Sequence, residues 1–301
     1  MVVRWLALMA VLGGALVATF APAHATVSRP EDRRTGAGSD RQSEGDARAQ
    51  SDGDTRALDT LLERSGLRAQ LESLSAGVRL QFLMGQGRLS GEDRLTVDRI
   101  VSQHFSASAL HARMRGEFEK NLESARLEKA LEWYESPFGK RITGLELASL
   151  TPDAGQMPDV ESRQASQRRL DLLRRLDASG GASETTVDVT MAIVGSLARA
   201  FQPVLPAVAR LSRGQLEQEL SQVRNITLER IRRACLVNML AAYRDLTDGE
   251  IEQYVQFVES EGGQWYMNVM NASLLTAVNA AAETTATELA AAVPQLARDL
   301  R

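Results

Sequence analysis

The chain has 301 residues and a formal net charge of −4, and 44% of its residues are hydrophobic, 25% charged and 5% aromatic. These proportions are typical of a folded globular protein and exclude a collagen-like or wholly disordered chain, while the weak acidic balance argues against nucleic-acid binding. The single cysteine, Cys235, excludes an internal disulfide and a cysteine-based zinc cluster, and its apolar neighbours predict a buried thiol.

The first 25 residues have the three parts of a secretory signal peptide. A positive charge at Arg4 precedes an apolar run of 16 residues from Trp5 to Phe20, and the segment ends in Ala23-His24-Ala25. A membrane anchor is the alternative, but a spanning helix needs about 20 apolar residues. The sequence therefore predicts cleavage after Ala25. Because arginine far outnumbers lysine, as is typical of GC-rich bacterial genomes, we expect the periplasm as the compartment.

Residues 26–56 contain almost no large apolar side chain and alternate charges with Gly, Ser and Asp. Such a segment buries too little apolar area to offset the entropy lost on ordering, so we predict a disordered polar linker. From residue 57 onward apolar residues recur at helical spacing, and the alternation typical of strands is weak. The prediction is an all-α helical bundle with a first helical unit at 57–152 and a second at 153–301.

Helix boundaries follow from caps, prolines and glycines. The predicted elements, in chain order, are helices at 57–64 and 67–84, a helix capped by Ser90, a helix at 108–122, a stop at Thr151-Pro152 before a loop at 153–159, a helix at 161–177, a break at Ser179-Gly180-Gly181, a helix capped by Ser183 that ends near Phe201, a turn at Pro203 and Pro206, a helix at 213–243, a helix begun by the capping box of Thr247 and Glu250, and a helix at 263–293.

An internal repeat links the two halves. A shift of 124 residues superposes 127–150 on 251–274 without a gap, and 7 of 24 positions are identical. Both segments contain Glu-Ser-x-x-Gly and an apolar stripe at helical spacing. Each unit is therefore predicted to be a short helix, a break capped by Ser136 or Ser260, and a second helix. Gly139 and Gly263 predict close approach of a neighbouring backbone.

The stripes differ at one place, where Phe138 corresponds to Gly262, and Trp265 one turn later is expected to fill that space. The glycines at 66 and 180 suggest that the repeat extends upstream, with an offset of 114 residues and about ten extra residues in the second copy.

The motif Trp-Tyr-Glu-Ser-Pro-Phe-Gly-Lys at 133–140 resembles the bacterial domain of unknown function numbered 2059. Residues 257–264 are a looser copy that lacks the proline and the lysine, which suggests a second copy of the domain. The resemblance implies exported, all-helical proteins without an assigned activity, and it supplies no catalytic residue.

Few residues suggest chemistry. His104 and His111 match no metal-ligand spacing and are expected to be surface or interface histidines. Glu135 and Glu259 occupy equivalent positions, and Trp133 and Tyr134 could stack on a sugar, so a periplasmic hydrolase or sugar-binding protein is the alternative function. We assign no catalytic, cofactor-binding or metal-binding residue and expect no cofactor.

The favoured hypothesis is an exported bacterial envelope protein that works as a non-catalytic helical interaction module with protein partners. Aromatic residues near Trp133 or Trp265 are the candidate contacts. Residues 262–282 carry no formal charge, but their recurring amides predict a helix packed inside the bundle rather than a stable membrane span. Membrane association through this last helix is the remaining alternative, and the sequence leaves the oligomeric state open.

Overall fold

A computed structural model describes residues 42–84, 89–150, 165–205 and 207–294. Every regular element in these ranges is helical, which confirms the all-α prediction. The predicted signal peptide, the predicted stop at residues 151–152, the loop predicted after it and the boundary between the two predicted units lie outside the described residues.

The described residues form a series of helices. They are α1 (Gln42–Arg64), α2 (Leu67–Met84), α3 (Gly91–His104), α4 (Ala107–Lys120), α5 (Ser124–Glu135), α6 (Pro137–Ser149), α7 (Gln167–Gly180), α8 (Ala182–Phe201), α9 (Arg213–Ala242), α10 (Asp248–Glu259) and α11 (Glu261–Ala292), with 3₁₀ turns at Gln202–Val204 and Ala207–Ala209.

Local capping chemistry sets most of these boundaries. The Ser90 hydroxyl accepts a hydrogen bond from the amide of Asp93, as predicted, and Thr247 and Glu250 form the predicted capping box. Ser183 is not the cap of α8, which corrects the prediction. The N-cap residue is Gly181, which has a φ of 62°. The Asp177 carboxylate accepts hydrogen bonds from both the amide and the hydroxyl of Ser183.

Helix α1 begins at Gln42 rather than at residue 57, so the predicted disordered linker is wrong for residues 42–56. This helix packs on α5, where the Ser124 hydroxyl donates to Asp54 over 2.6 Å, and Arg115 of α4 binds Asp59. Asp54 and Asp59 of α1 therefore have partners on other helices, which a count of apolar side chains along the segment does not reveal. Residues 26–41 lie outside the described range.

The long helix α11 lies at the centre of one continuous apolar core. It packs against α3, α4 and α5 from the first half of the chain and against α8 and α10 from the second. Residues 262–282 are mostly buried in these contacts, as predicted for an interior helix. In the described residues, no helix combines the length and apolarity required to cross a bilayer.

The two halves repeat an order of elements. Gly66 after α1 and Gly181 after α7 both have positive φ values, of 72° and 62°. The helix before each glycine packs on the helix before the later corner: α1 on α5, and α7 on α10. The positive-φ glycine of the second half is Gly181, next to the predicted Gly180, and the upstream extension of the repeat stays a prediction.

Candidate functional site

The motif shared by the two halves forms a tight corner between consecutive helices. At the α5–α6 corner the Ser136 hydroxyl accepts from the amide of Gly139 over 2.9 Å, and at the α10–α11 corner Ser260 accepts from Gly263 over 3.1 Å. A Cβ atom added to either glycine would lie 2.0 Å from a carbonyl oxygen of the preceding helix. Both corners therefore require glycine, which confirms the predicted close backbone approach.

The aromatic residue at the end of each short helix joins the two halves. Trp133 of α5 and Phe257 of α10 correspond in the repeat, and their rings stack with centroids 4.2 Å apart and planes 3° apart. The ring of Tyr254 also stacks on Trp133, at 5.8 Å. The motif tryptophan, which is half-buried, thus packs at the joint between the two halves, and a contact between the aromatic residues near it and a partner stays a prediction.

Trp265 is an interior residue, with 4% of its surface exposed. Its indole N–H donates to the backbone oxygen of Asn121 over 3.1 Å, and its ring meets Phe118 edge-on. The expected packing of Trp265 in place of Phe138 is not needed. A Cβ at Gly262 would lie 2.7 Å from the Cβ of Lys129, so α5 itself occupies that space.

Next to the joint lies a buried carboxylate, Glu146 of α6. Its Oε1 accepts hydrogen bonds from the hydroxyls of Tyr243 (2.7 Å) and Tyr254 (2.8 Å), and 8% of the residue is exposed. Burial raises the pKa of Glu146, although the two tyrosine hydroxyls act in the opposite direction. A carboxyl group that holds its proton above the ordinary range can donate or accept a proton inside the core.

All four tyrosines of the chain gather around this carboxylate. Tyr134 and Tyr266 have ring centroids 5.0 Å apart, and burial raises the pKa of both. Tyr266 also interacts with Ser65 at the end of α1. The cluster therefore draws on α1, α5, α6, α9, α10 and α11, and it holds the first half of the chain to the second.

Glu146 is a site residue that the sequence patterns do not identify. Its position one turn after Ile142, on the buried side of α6, places a carboxylate where an apolar residue is expected, and Met270 occupies the corresponding place in the second unit. The two tyrosines that bind Glu146 lie about 100 residues away in the sequence, so no local pattern connects them with it.

The two glutamates of the alternative hypothesis play different roles. The Arg175 guanidinium binds both carboxylate oxygens of Glu259, and the Ser179 hydroxyl donates to it over 2.9 Å. Arg175 thereby lowers the pKa of Glu259, whereas a general acid in glycoside hydrolysis needs a raised pKa. Glu135 is exposed at the end of α5. This arrangement does not favour a paired-carboxylate hydrolase.

The remaining candidate residues are two histidines and the cysteine. His104 Nε2 lies 2.8 Å from a carboxylate oxygen of Glu288 and links α3 to α11, while His111 is half-buried on α4. The described residues hold no group of histidine, cysteine and acidic side chains that could bind a metal ion. Cys235 is buried, as predicted, and burial raises the pKa of its thiol to about 12.

No curated protein and no solved structure matches the chain. A family match covers residues 108–160, which include most of α4 and all of α5 and α6 with the corner motif at 133–140. This match confirms the resemblance for the first unit, and the second copy stays a prediction. Residues 108–160 match the bacterial family described as "Uncharacterized protein conserved in bacteria (DUF2059)".

Proposed function

We propose that this protein is exported to the bacterial cell envelope and acts there as a non-catalytic helical module that binds a protein partner. The observation that carries the proposal is the use of the family motif. Trp133 and the corner built around Gly139 serve to join the two halves, and Glu259 is held in an ion pair. The motif residues therefore build a scaffold, and contact with a partner falls to the helix surfaces.

One such surface lies on α2 and α3. Leu95 is 73% exposed and Leu80 is 52% exposed. Arg79 and Asp98 form a bidentate ion pair between the two helices, so the leucine that follows Arg79 and the leucine one turn before Asp98 flank this pair. Exposed leucines beside fixed charges are typical of a protein contact, in which an apolar centre is bordered by polar groups.

The proposal includes a second copy of the family unit at the C-terminal end. It is supported by the matching geometry of the two corners and by the positive-φ glycines at 66 and 181. The helical segments that lead to the corners also agree in length, since α3 and α4 together span residues 91–120 and α9 spans the 30 residues 213–242. Two units that share one core would form a rigid support for the α2–α3 surface.

Site-specific photo-crosslinking in intact cells tests the proposal. A photoreactive residue replaces Leu95 in one variant and Ile226, which is 61% exposed on α9, in the control. We expect one discrete protein adduct from position 95 and none from position 226, and we expect Leu80→Glu combined with Leu95→Glu to abolish the adduct without loss of helical signal. Mass spectrometry of the N-terminal peptide of the protein in the periplasmic fraction tests cleavage after Ala25.

Two outcomes contradict the proposal. One is equal crosslinking from positions 95 and 226, which indicates non-specific collision. The other is retention of the full N-terminus together with a cytoplasmic location. A sugar-cleaving activity that disappears in Glu259→Gln but persists in Arg175→Lys would instead favour the hydrolase.

A further inference from the structure

The turn between α8 and α9 differs in charge from the rest of the chain. Residues 189–216 contain no aspartate or glutamate and three arginines, Arg199, Arg210 and Arg213, in a protein whose net charge is −4. Arg199 lies in the last turn of α8, and Arg213 is the first residue of α9. The Arg199 guanidinium donates to the Ser196 hydroxyl over 3.2 Å and the residue remains exposed, so each of the two helices that border the turn carries an exposed arginine.

The turn is braced from inside. Arg210 donates from Nε to the carbonyl oxygen of Leu205 over 2.8 Å and from a terminal nitrogen to that of Pro203 over 2.9 Å. The amide of Leu211 donates to the side-chain oxygen of Gln202 over 3.0 Å, and Leu205 is 1% exposed. The described parts of the turn, residues 202–205 and 207–212, are thus held in place by the side chains of Arg210 and Gln202 and by the buried Leu205.

The braced turn presents apolar side chains to the outside. Val208 is 99% exposed and Val204 is 43% exposed, while Pro203 and Ala207 are also exposed. Exposure of these valine side chains to water is unfavourable, and their burial in an apolar environment outside the protein would remove this cost.

We infer that the α8–α9 turn is an interfacial membrane anchor, which inserts Val204 and Val208 into the surface of a bilayer that contains anionic phospholipid. The chemistry of the rim selects this occupant. Arginine side chains can extend along an inserted turn and bind lipid phosphates, and each strengthens binding to an anionic surface. The ion pair of Arg213 with Glu217 is no obstacle, since Arg213 is 92% exposed in it and such pairs are weak.

Vesicle sedimentation tests the inference. The protein is purified after export and mixed with vesicles of phosphatidylethanolamine and phosphatidylglycerol, or with vesicles of phosphatidylcholine alone. We expect binding to the anionic vesicles, and a loss of at least about tenfold in the partition coefficient for Val204→Ser combined with Val208→Ser. Arg199→Gln combined with Arg213→Gln should weaken binding to a similar extent, on the order of tenfold, and should remove its salt dependence. Every variant carries the same N-terminal segment, so the differences report the turn.

A matched control uses apolar residues that are exposed elsewhere. Ile226→Ser combined with Val237→Ser on α9 should leave the partition coefficient unchanged. A second readout labels Val208→Cys with an environment-sensitive dye, since Cys235 is buried and its raised pKa makes the native thiol unreactive. The emission should shift to the blue with anionic vesicles, and Ile226→Cys should show no shift.

The inference is overturned by any of three results. The first is no sedimentation of the wild-type protein with anionic vesicles. The second is equal partition of the valine variant and the wild-type protein. The third is a photoreactive residue at 208 that crosslinks a protein in cells and no lipid, which would make the turn a protein contact.

Discussion

The corner between α5 and α6 and the corner between α10 and α11 share a serine cap and a glycine pressed against a carbonyl oxygen, but the helices that leave them differ. Helix α6 has 13 residues and contains the buried Glu146, whereas α11 has 32 residues and runs through the centre of the core. The two corners show that local interactions and long-range packing determine different parts of the structure. A short motif sets the corner through local backbone chemistry, and the fate of the following helix depends on what packs against it.

Substitution of the corner glycines is expected to have the largest effect. Gly139→Ala and Gly263→Ala should each lower the free energy of unfolding by roughly 4 kcal/mol, because a methyl group 2.0 Å from a backbone carbonyl oxygen forces the two helices apart. Urea unfolding followed by circular dichroism measures both variants. Equal losses would show that the two corners contribute equally to the free energy of unfolding, although the helices that follow them differ.

Gly144→Ala is the matched control. This glycine lies inside α6 with open space where its Cβ would be, so alanine should gain up to about 1 kcal/mol through helix propensity. If Gly139→Ala destabilises no more than Gly144→Ala does, the close approach at the corner does not constrain the sequence.

The stack of Trp133 on Phe257 is the next contact to break. Trp133→Ala and Phe257→Ala should each cost about 3 kcal/mol, and the double variant should cost about 1 kcal/mol less than the sum, because each single change already removes the shared ring contact. A double-mutant cycle by urea unfolding measures this coupling. Trp133→Ala with Phe201→Ala is the control pair, since no ring contact joins these residues in the described part of the chain, and its effects should add.

Much of the fold could be predicted because its signals are local. Helix α2 has the predicted bounds Leu67–Met84, the Ser90 and Thr247 caps form as expected, and the Glu-Ser-x-x-Gly motif predicts both corners. These features depend on residues within a few positions of one another. A periodic stripe or a cap needs no knowledge of the rest of the chain.

The errors concern contacts between distant residues. The N-terminal part of α1 is helical although its composition is polar, and the ring of Trp133 stacks on Phe257, which lies 124 residues away in the sequence. Glu146 could not be identified from the sequence because its partners, Tyr243 and Tyr254, lie in distant parts of the chain. Sequence patterns show which face of a helix is apolar, but they do not show which partner that face meets.

Glu146 and Glu259 should respond to pH with opposite signs. Burial raises the pKa of Glu146 above 4.5, so the folded protein keeps this proton where the unfolded chain has lost it. The free energy of unfolding therefore falls as pH rises from about 4.5 through the raised pKa. Glu146→Gln, which does not titrate, should lack this decline when both proteins are unfolded in urea at a series of pH values. Parallel profiles would contradict the raised pKa.

Tyr254→Phe sharpens this test. It removes one hydroxyl that stabilises the ionised carboxylate, so the pKa of Glu146 should rise further and the decline should extend to higher pH. Tyr134→Phe is the control, because the structure shows the hydrogen bonds to Glu146 coming from Tyr243 and Tyr254, and its profile should follow the wild type.

The smallest effect is expected at Glu259. Arg175 lowers the pKa of Glu259 below 4.5, so the stabilisation by this pair is present above pH 4.5 and is lost as pH falls through the lowered value. Because both side chains are partly exposed, Glu259→Gln should lower stability only slightly at neutral pH, and added salt should shrink the difference. Glu135→Gln, at the corresponding exposed position of the first corner, should change nothing. A salt-independent loss at Glu259 that exceeds the loss at the Trp133–Phe257 stack would mean that the carboxylate supports the second corner directly, and the two corners would then differ in construction as well as in surroundings.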